Sequence, residues 1–376
     1  MISGVIFFNL NILKRAINLY VLKRGLGFTG GTLDKLESIP NYKVHQHVEQ
    51  VEDLIDRIGC CIVGQSDKLN PADKTLYATR DITNTVDCIP LIAASIISKK
   101  AIEDLDALVL DVKVGKASFM PNQKDAEILS DYMLKISNKL GFKAGVFLTR
   151  HDNPIGRTIG NQIEIEETIE CLHGEMSKDM EELVTQYGGY LLYKTQRATS
   201  LEAGAKLILE KLKNKEALDR FQKMLIAQGV DEQLAHELCV KRNYNVFPKK
   251  SKFVSLIKAQ QSGYIKHIDA LVLGNIAAKL GAGRAKSGKK IEIKIKIINC
   301  LLFFIKGDKI SFEVGFKLIK TVGDRIDINE PWLQVYHNNA DFDDLYASAL
   351  VNSIEFHHEP VNVESLIIKI MDSDMN

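Results

Sequence analysis

Several things this 376-residue chain does not have narrow its class before any motif is read. It lacks a charge surplus: 49 Lys and Arg face 48 Asp and Glu, a net charge of +1, so no global field recruits nucleic acid or an anionic membrane. Any anion it binds must be held locally. It lacks paired cysteines, because Cys60, Cys61, Cys88, Cys171, Cys239 and Cys300 show neither zinc-site spacing nor a disulfide framework. A reducing, cytoplasmic setting is expected. It lacks a long apolar run: Gly4 to Leu13 is too short to span a bilayer, has no basic segment before it and runs into Lys14 and Arg15, so it reads neither as a membrane anchor nor as a signal peptide. It also lacks an internal repeat. What remains, with 45% hydrophobic residues, is enough apolar material for a large core and two or more domains.

Against that background the stretch Arg24-Gly25-Leu26-Gly27-Phe28-Thr29-Gly30-Gly31-Thr32 stands out, because four glycines and two threonines lead directly into a helical pattern. Glycine reaches left-handed backbone angles and clears space for an anion, and the free N–H groups of a helix start add partial positive charge. Thr32 is placed to cap that helix or to hold a phosphate oxygen. A glycine-rich turn without a ligand fits the same residues. Gly25, Gly27 and Gly30 match a dinucleotide fingerprint by pattern, but that fingerprint needs a full crossover helix, and Pro40 ends this one after roughly two turns.

Downstream, α and β signals alternate. Helical periodicity covers Val51–Ile58, Ile89–Ile102 and Asp125–Leu140, and apolar runs at Cys60–Gly64, Ala107–Val112 and Ala144–Thr149 read as strands, the second as one buried on both faces. Leu201–Gln228 and Asp231–Val240 extend a helical layer to a boundary near Lys250, after which short β-like runs are punctuated by glycine. The segment from about 293 to 310 and residues 1–20 are dense in Ile, Asn, Lys, Phe and Leu; both fit translated non-coding sequence, and both also fit genuine elements, with Ile291–Ile297 as an alternating strand.

A second cluster lies at Arg80 and along Pro90–Lys100. Pro90 suits the first turn of a helix, which then places Ile92, Ser95, Ile96 and Lys99 on one face, with a hydroxyl and an ammonium one turn apart on an apolar stripe. That mixture suits a flat polar heterocycle. It equally describes a core-facing helix whose serine bonds its own backbone and whose lysine reaches water, with Arg80 paired to Asp81 or Asp87. His45 and His47 would share one face of a strand, but no third metal ligand accompanies them.

At these residues the chain resembles the thymidine and pyrimidine nucleoside phosphorylase family, with animal members as the nearest likeness. Arg24–Pro40, Leu76–Lys100 and Ala107–Met120 carry the resemblance, and it continues through Pro154–Glu167, Gly188–Leu192, Leu280–Arg284 and Gly323–His337. It implies an α/β fold: a mixed β-sheet flanked by helices in residues 24–71 and 104–250, a remnant of a small helical pyrimidine-binding domain in 72–103, and a C-terminal β-rich domain in 251–376 with an insertion near 293–310. It further implies that phosphate attacks C1′ of thymidine or deoxyuridine, with Arg80, Ser95 and Lys99 holding the pyrimidine, Arg80 and Lys99 stabilising it as it departs, Ile92 packing on its ring, and Thr32 binding phosphate. Phosphate is a co-substrate, no organic cofactor or metal ligand is assigned, and a homodimer is implied. Glu164 is the position to compare with a cation site of bacterial members.

The family's Lys-His-Ser phosphate loop has no counterpart in these residues, a second phosphate serine falls on Leu22, the histidine of the glycine signature is Phe28, and only Ala72–Glu103 of the helical domain remains. Loss of a positioned acid costs about 10²- to 10⁴-fold, so impaired phosphorolysis is the expectation for these residues alone. The competing expectations are a pyrimidine-binding or scaffold homologue without catalysis, and an anthranilate-type phosphoribosyltransferase, which gives no reason for Arg80, Ser95 and Lys99 to occur together.

Overall fold

A computed structural model describes residues 18–22, 30–64, 79–80, 83, 85, 88–101, 105–283 and 310–372. The glycines of 24–29, Asp81 and Asp87, residues 1–17 and 293–309, and the strand expected at 291–297 lie outside them.

Strand β1 (Asn18–Leu22) pairs in parallel with β2 (Cys60–Gly64), and helices α1 (Thr32–Leu36) and α2 (Val48–Ile58) lie between them in sequence. Helix α3 (Ile89–Ala101) leads into β3 (Ala107–Val114), and α4 (Gln123–Leu140) into β4 (Lys143–Arg150), with β3 and β4 parallel in continuous register from Ala107↔Lys143 to Val114↔Arg150. Helix α4 starts where Asn122 accepts the Asp125 amide and stops at Gly141, whose φ of 87° is the left-handed cap that glycine adopts without strain. After β5 (Thr158–Gly160) come α5 (Gln162–Leu172), α6 (Lys178–Lys194), α7 (Leu201–Lys213), α8 (Glu216–Ala227) and α9 (Glu232–Cys239). Helices α6 and α7 cross closely, because a Cβ on Gly189 would lie 2.6 Å from backbone atoms of Leu201 and Ala205.

The later part comprises β6 (Phe253–Lys258), β7 (Gly263–Ile268), α10 (Ala270–Leu280), β8 (Gly315–Leu318), β9 (Arg325–Ile326), β10 (Pro331–His337), α11 (Ser348–Val351), β11 (Ile354–His357) and β12 (Ile367–Asp372). Its sheets, ordered β5-β8-β10-β6 and β11-β7-β9, are antiparallel and enclose a core of Trp332, Phe316, Leu333 and Leu273. Two strand pairings join residues on either side of Lys250, near which a boundary was expected. Strand β5 pairs with β8, and β12 returns antiparallel to β4 from Ile367↔Thr149 to Asp372↔Gly145.

The mixed α/β architecture is as read from the sequence, with four local differences. Strand β4 is buried along Ala144–Thr149, but one face of β3 is less covered than the other, so Leu108, Val112 and Val114 are buried while Val109, Asp111 and Lys113 are only partly so. One helix over Leu201–Gln228 becomes α7 and α8, because Lys215 takes a left-handed φ of 65° and Asn214 bonds the Glu216 amide. The helix after the glycines is shorter than two turns: the Ser38 hydroxyl donates to the Lys35 carbonyl at 2.6 Å, competing for an acceptor that would continue it. His45 and His47 are not on a strand, since His47 begins α2 with Gln50 accepting its amide at 2.9 Å.

Candidate functional site

Helix α3 carries three of the residues singled out in the sequence. Its inner side, Ala93 and Ile97, is buried in an apolar cluster shared with the α4 side chains and with β3 and β4, which fixes the rotation of the helix. Ile92 and Ile96 pack at the margin of that cluster and stay half-buried, so Ile92 offers part of its surface outward. One turn apart and half-buried, Ser95 and Lys99 meet: the Lys99 ammonium donates to Ser95 Oγ at 2.9 Å. The serine and lysine therefore hold each other, rather than the lysine simply running out to water.

Arg80 joins this helix from outside. Its side chain is 7% exposed, and the guanidinium donates through Nε to the Thr85 carbonyl and through Nη1 to the Leu91 carbonyl, both at 3.3 Å. Leu91 lies one helical turn before Ser95, so the planar cation is pinned beside the turn that presents the serine. Arg80, Ser95 and Lys99 thus form one polar strip along α3. Two cationic donors and a hydroxyl beside an apolar edge can bind the carbonyl and ring-nitrogen edge of a planar heterocycle and stabilise negative charge appearing on it.

Thr32 stands apart, at the first helical position of α1, and Gly31 rather than Thr32 is the N-cap. With five residues α1 contributes little dipole, so the helix-start field expected from the sequence is small. What fixes α1 is a buried ion pair absent from the sequence reading: Lys35, 1% exposed, donates to Glu164 on α5, whose other carboxylate oxygen accepts the Gly160 amide at 3.1 Å. The Glu164 carboxylate is therefore committed to an ammonium and an amide, which leaves it poorly suited as a cation ligand. Among the described residues no group of three or more His, Cys, Asp or Glu is arranged to hold a metal ion.

One turn along α5, Glu167 accepts the Thr158 hydroxyl and the Arg157 amide, the latter at 2.6 Å, and ties the β4–β5 connection to the helix. Burial, opposed by those hydrogen bonds, pushes its carboxyl up to about 7. Nothing in the local sequence announced the Lys35–Glu164 or Glu167 contacts, since their partners are brought together only by the packing of α5.

The class these features define is a glycosyl transferase: residues 12–218 match the family described as "Glycosyl transferase family, a/b domain". Over 318 residues the chain is 41% identical to human thymidine phosphorylase, covering 84% of this chain and 62% of that protein. It is 37% identical over 347 residues to the pyrimidine-nucleoside phosphorylase of Geobacillus stearothermophilus, covering 92% and 73%, and 36% identical over 329 residues to that of Bacillus subtilis, covering 88% and 70%. Within the glycosyl transferases the chain belongs to the thymidine and pyrimidine nucleoside phosphorylase family. It spans 62% of the length of the human relative.

Proposed function

We propose that this chain acts on pyrimidine nucleosides, as a thymidine phosphorylase: an oxygen of inorganic phosphate bonds to C1′ of thymidine or deoxyuridine as the C1′–N1 bond breaks. The bonding pair leaves with the base, the hydrogen of hydrogen phosphate ends on the released pyrimidine, and the sugar leaves as 2-deoxyribose 1-phosphate. The observation that carries the reading is the Lys99–Ser95 hydrogen bond on α3 with Arg80 fastened one turn away. The Arg80 and Lys99 donors suit O2 and O4 of a pyrimidine, the Ser95 hydroxyl can accept its N3–H, and the cationic charge stabilises the base as it becomes a leaving group. Ile92 supports the ring, and Thr32 on α1 is the residue assigned to phosphate. No organic cofactor or metal enters the reaction.

The five described cysteines are free, which supports a reducing cytosolic setting. No helix among the described residues is long and apolar enough to cross a membrane. A homodimer, the assembly implied by the family resemblance, belongs to the same reading and is checked by light scattering. The decisive assay is thymine release from thymidine with and without phosphate. Phosphate-dependent release establishes the phosphorylase. Thymine binding with no phosphate-dependent release would instead establish a pyrimidine-binding homologue, and absence of both would refute the reading.

A further inference from the structure

At the carboxyl end of β3 and β4 lies a polar cluster separate from the α3 strip. Lys113 Nζ lies 2.5 Å from Asp111 Oδ2 and donates to Thr149 Oγ1 at 3.1 Å, while that hydroxyl donates to Asp111 Oδ1 at 2.5 Å. Thr149 is fully buried, but the Lys113 and Asp111 side chains are each 22% exposed, so the cluster has a rigid back and an open front. Two ammonium hydrogens serve Thr149 and Asp111, and an ammonium has three to give.

Charge decides which ligand suits this place. Lys113 and Asp111 cancel each other. His151, at the end of β4, adds no charge because burial and, secondarily, Lys113 push its imidazole down to about 4. The Tyr187 hydroxyl beside Asp111 is held protonated, its pKa raised well above the usual value, chiefly by burial. A neutral cluster has no electrostatic preference for phosphate. A fixed donor and acceptor side by side instead match a hydroxyl, which can accept from Lys113 and donate to Asp111.

The position fits as well. Helix α3 immediately precedes β3 in the chain. Val112 and Val114 belong to the apolar core against which Ile92 and Ile96 pack, so α3 and β3 border one core. Ligands of open α/β sheets collect at the carboxyl end of parallel strands.

We propose that Lys113 and Asp111 form a pentose-recognition subsite that binds a sugar hydroxyl of the nucleoside. The inference rests on the pyrimidine reading above and extends it to the sugar.

Calorimetry on the full chain tests it with thymine, thymidine, 3′-deoxythymidine and 5′-deoxythymidine, using Lys113→Met and Lys113→Arg. The wild type binds thymidine more tightly than thymine, and loses about 10- to 100-fold when the recognised hydroxyl is deleted, the range of one charge-assisted hydrogen bond. Lys113→Met abolishes that difference while leaving thymine affinity unchanged, and Lys113→Arg, which keeps a cationic donor, retains part of it. Equal weakening of thymine and thymidine in Lys113→Met, or an undiminished hydroxyl effect, overturns the subsite. Failure of the wild type to bind thymine at all defeats the pyrimidine reading itself and removes the ground for this one.

Discussion

Replacing Lys99 with methionine removes the ammonium while keeping an unbranched apolar stem, so it isolates the charge from the packing of α3. In the structure that ammonium is half-buried and held 2.9 Å from Ser95 Oγ, with Ser95 itself one turn from the carbonyl that anchors Arg80. A preorganised donor aimed at a developing anion is worth about 2.7 to 4 kcal/mol, or about 10²- to 10³-fold in rate. A lysine that only decorates the helix would cost about 1 kcal/mol or less. The two readings thus differ by more than tenfold. Spectrophotometric thymine release in saturating phosphate gives kcat and KM separately, and the loss should fall mainly on kcat, because charge reaches the base only as the glycosidic bond breaks. Ser95→Ala should cost less and, combined with Lys99→Met, less than the sum, with a coupling of about 0.5 kcal/mol or more. A kcat/KM within twofold of wild type, in a variant with an unchanged unfolding midpoint, would refute the placement of Lys99 at the leaving group.

Two further outcomes test how the scaffold holds together. Gly145→Ala places a Cβ 2.2 Å from the buried Tyr190 ring, whose hydroxyl donates to Asp372 at 2.9 Å while Lys194 pairs with the same carboxylate at 2.6 Å. Overpacking plus a weakened charged hydrogen bond should cost about 3 to 5 kcal/mol in urea unfolding, and a loss below about 1 kcal/mol would show that β12 is not held through this ring. Glu167 bears on pH: burial pushes its folded carboxyl from the ordinary 4.5 up to about 7, so the folded state prefers the proton, and stability is lost as pH rises through that window. Glu167→Gln, which imitates the protonated form, should match wild type near pH 5 and exceed it by up to about 3 kcal/mol near pH 8, whereas a gap independent of pH in thermal melts would contradict the assignment.

Much of the architecture was readable in the chain. The apolar run at Ala144–Thr149 is a buried central strand, Pro90 sits in the first turn of α3, and the i, i+4 spacing of Ser95 and Lys99 becomes a hydrogen bond. These follow from local periodicity, which fixes which side chains share a face. The break at Asn214 and Lys215 was not readable in the same way, because the helical pattern runs on through a left-handed residue. The partial cover over one face of β3 also escaped the sequence, since an apolar run does not reveal what packs on each face of its strand.

The sequence by itself determined the family, the helix that bears Ser95 and Lys99, and the clustering of Arg80 and Lys99 around it, because each depends on residue types at short spacing. Only the tertiary structure decided that Arg80 is fastened to the Leu91 carbonyl, that Lys35 and Glu164 neutralise each other 129 residues apart, and that β12 closes on β4. Those contacts bring distant parts of the chain together, and what selects them is the burial of apolar faces and the need to pair every charge taken out of water.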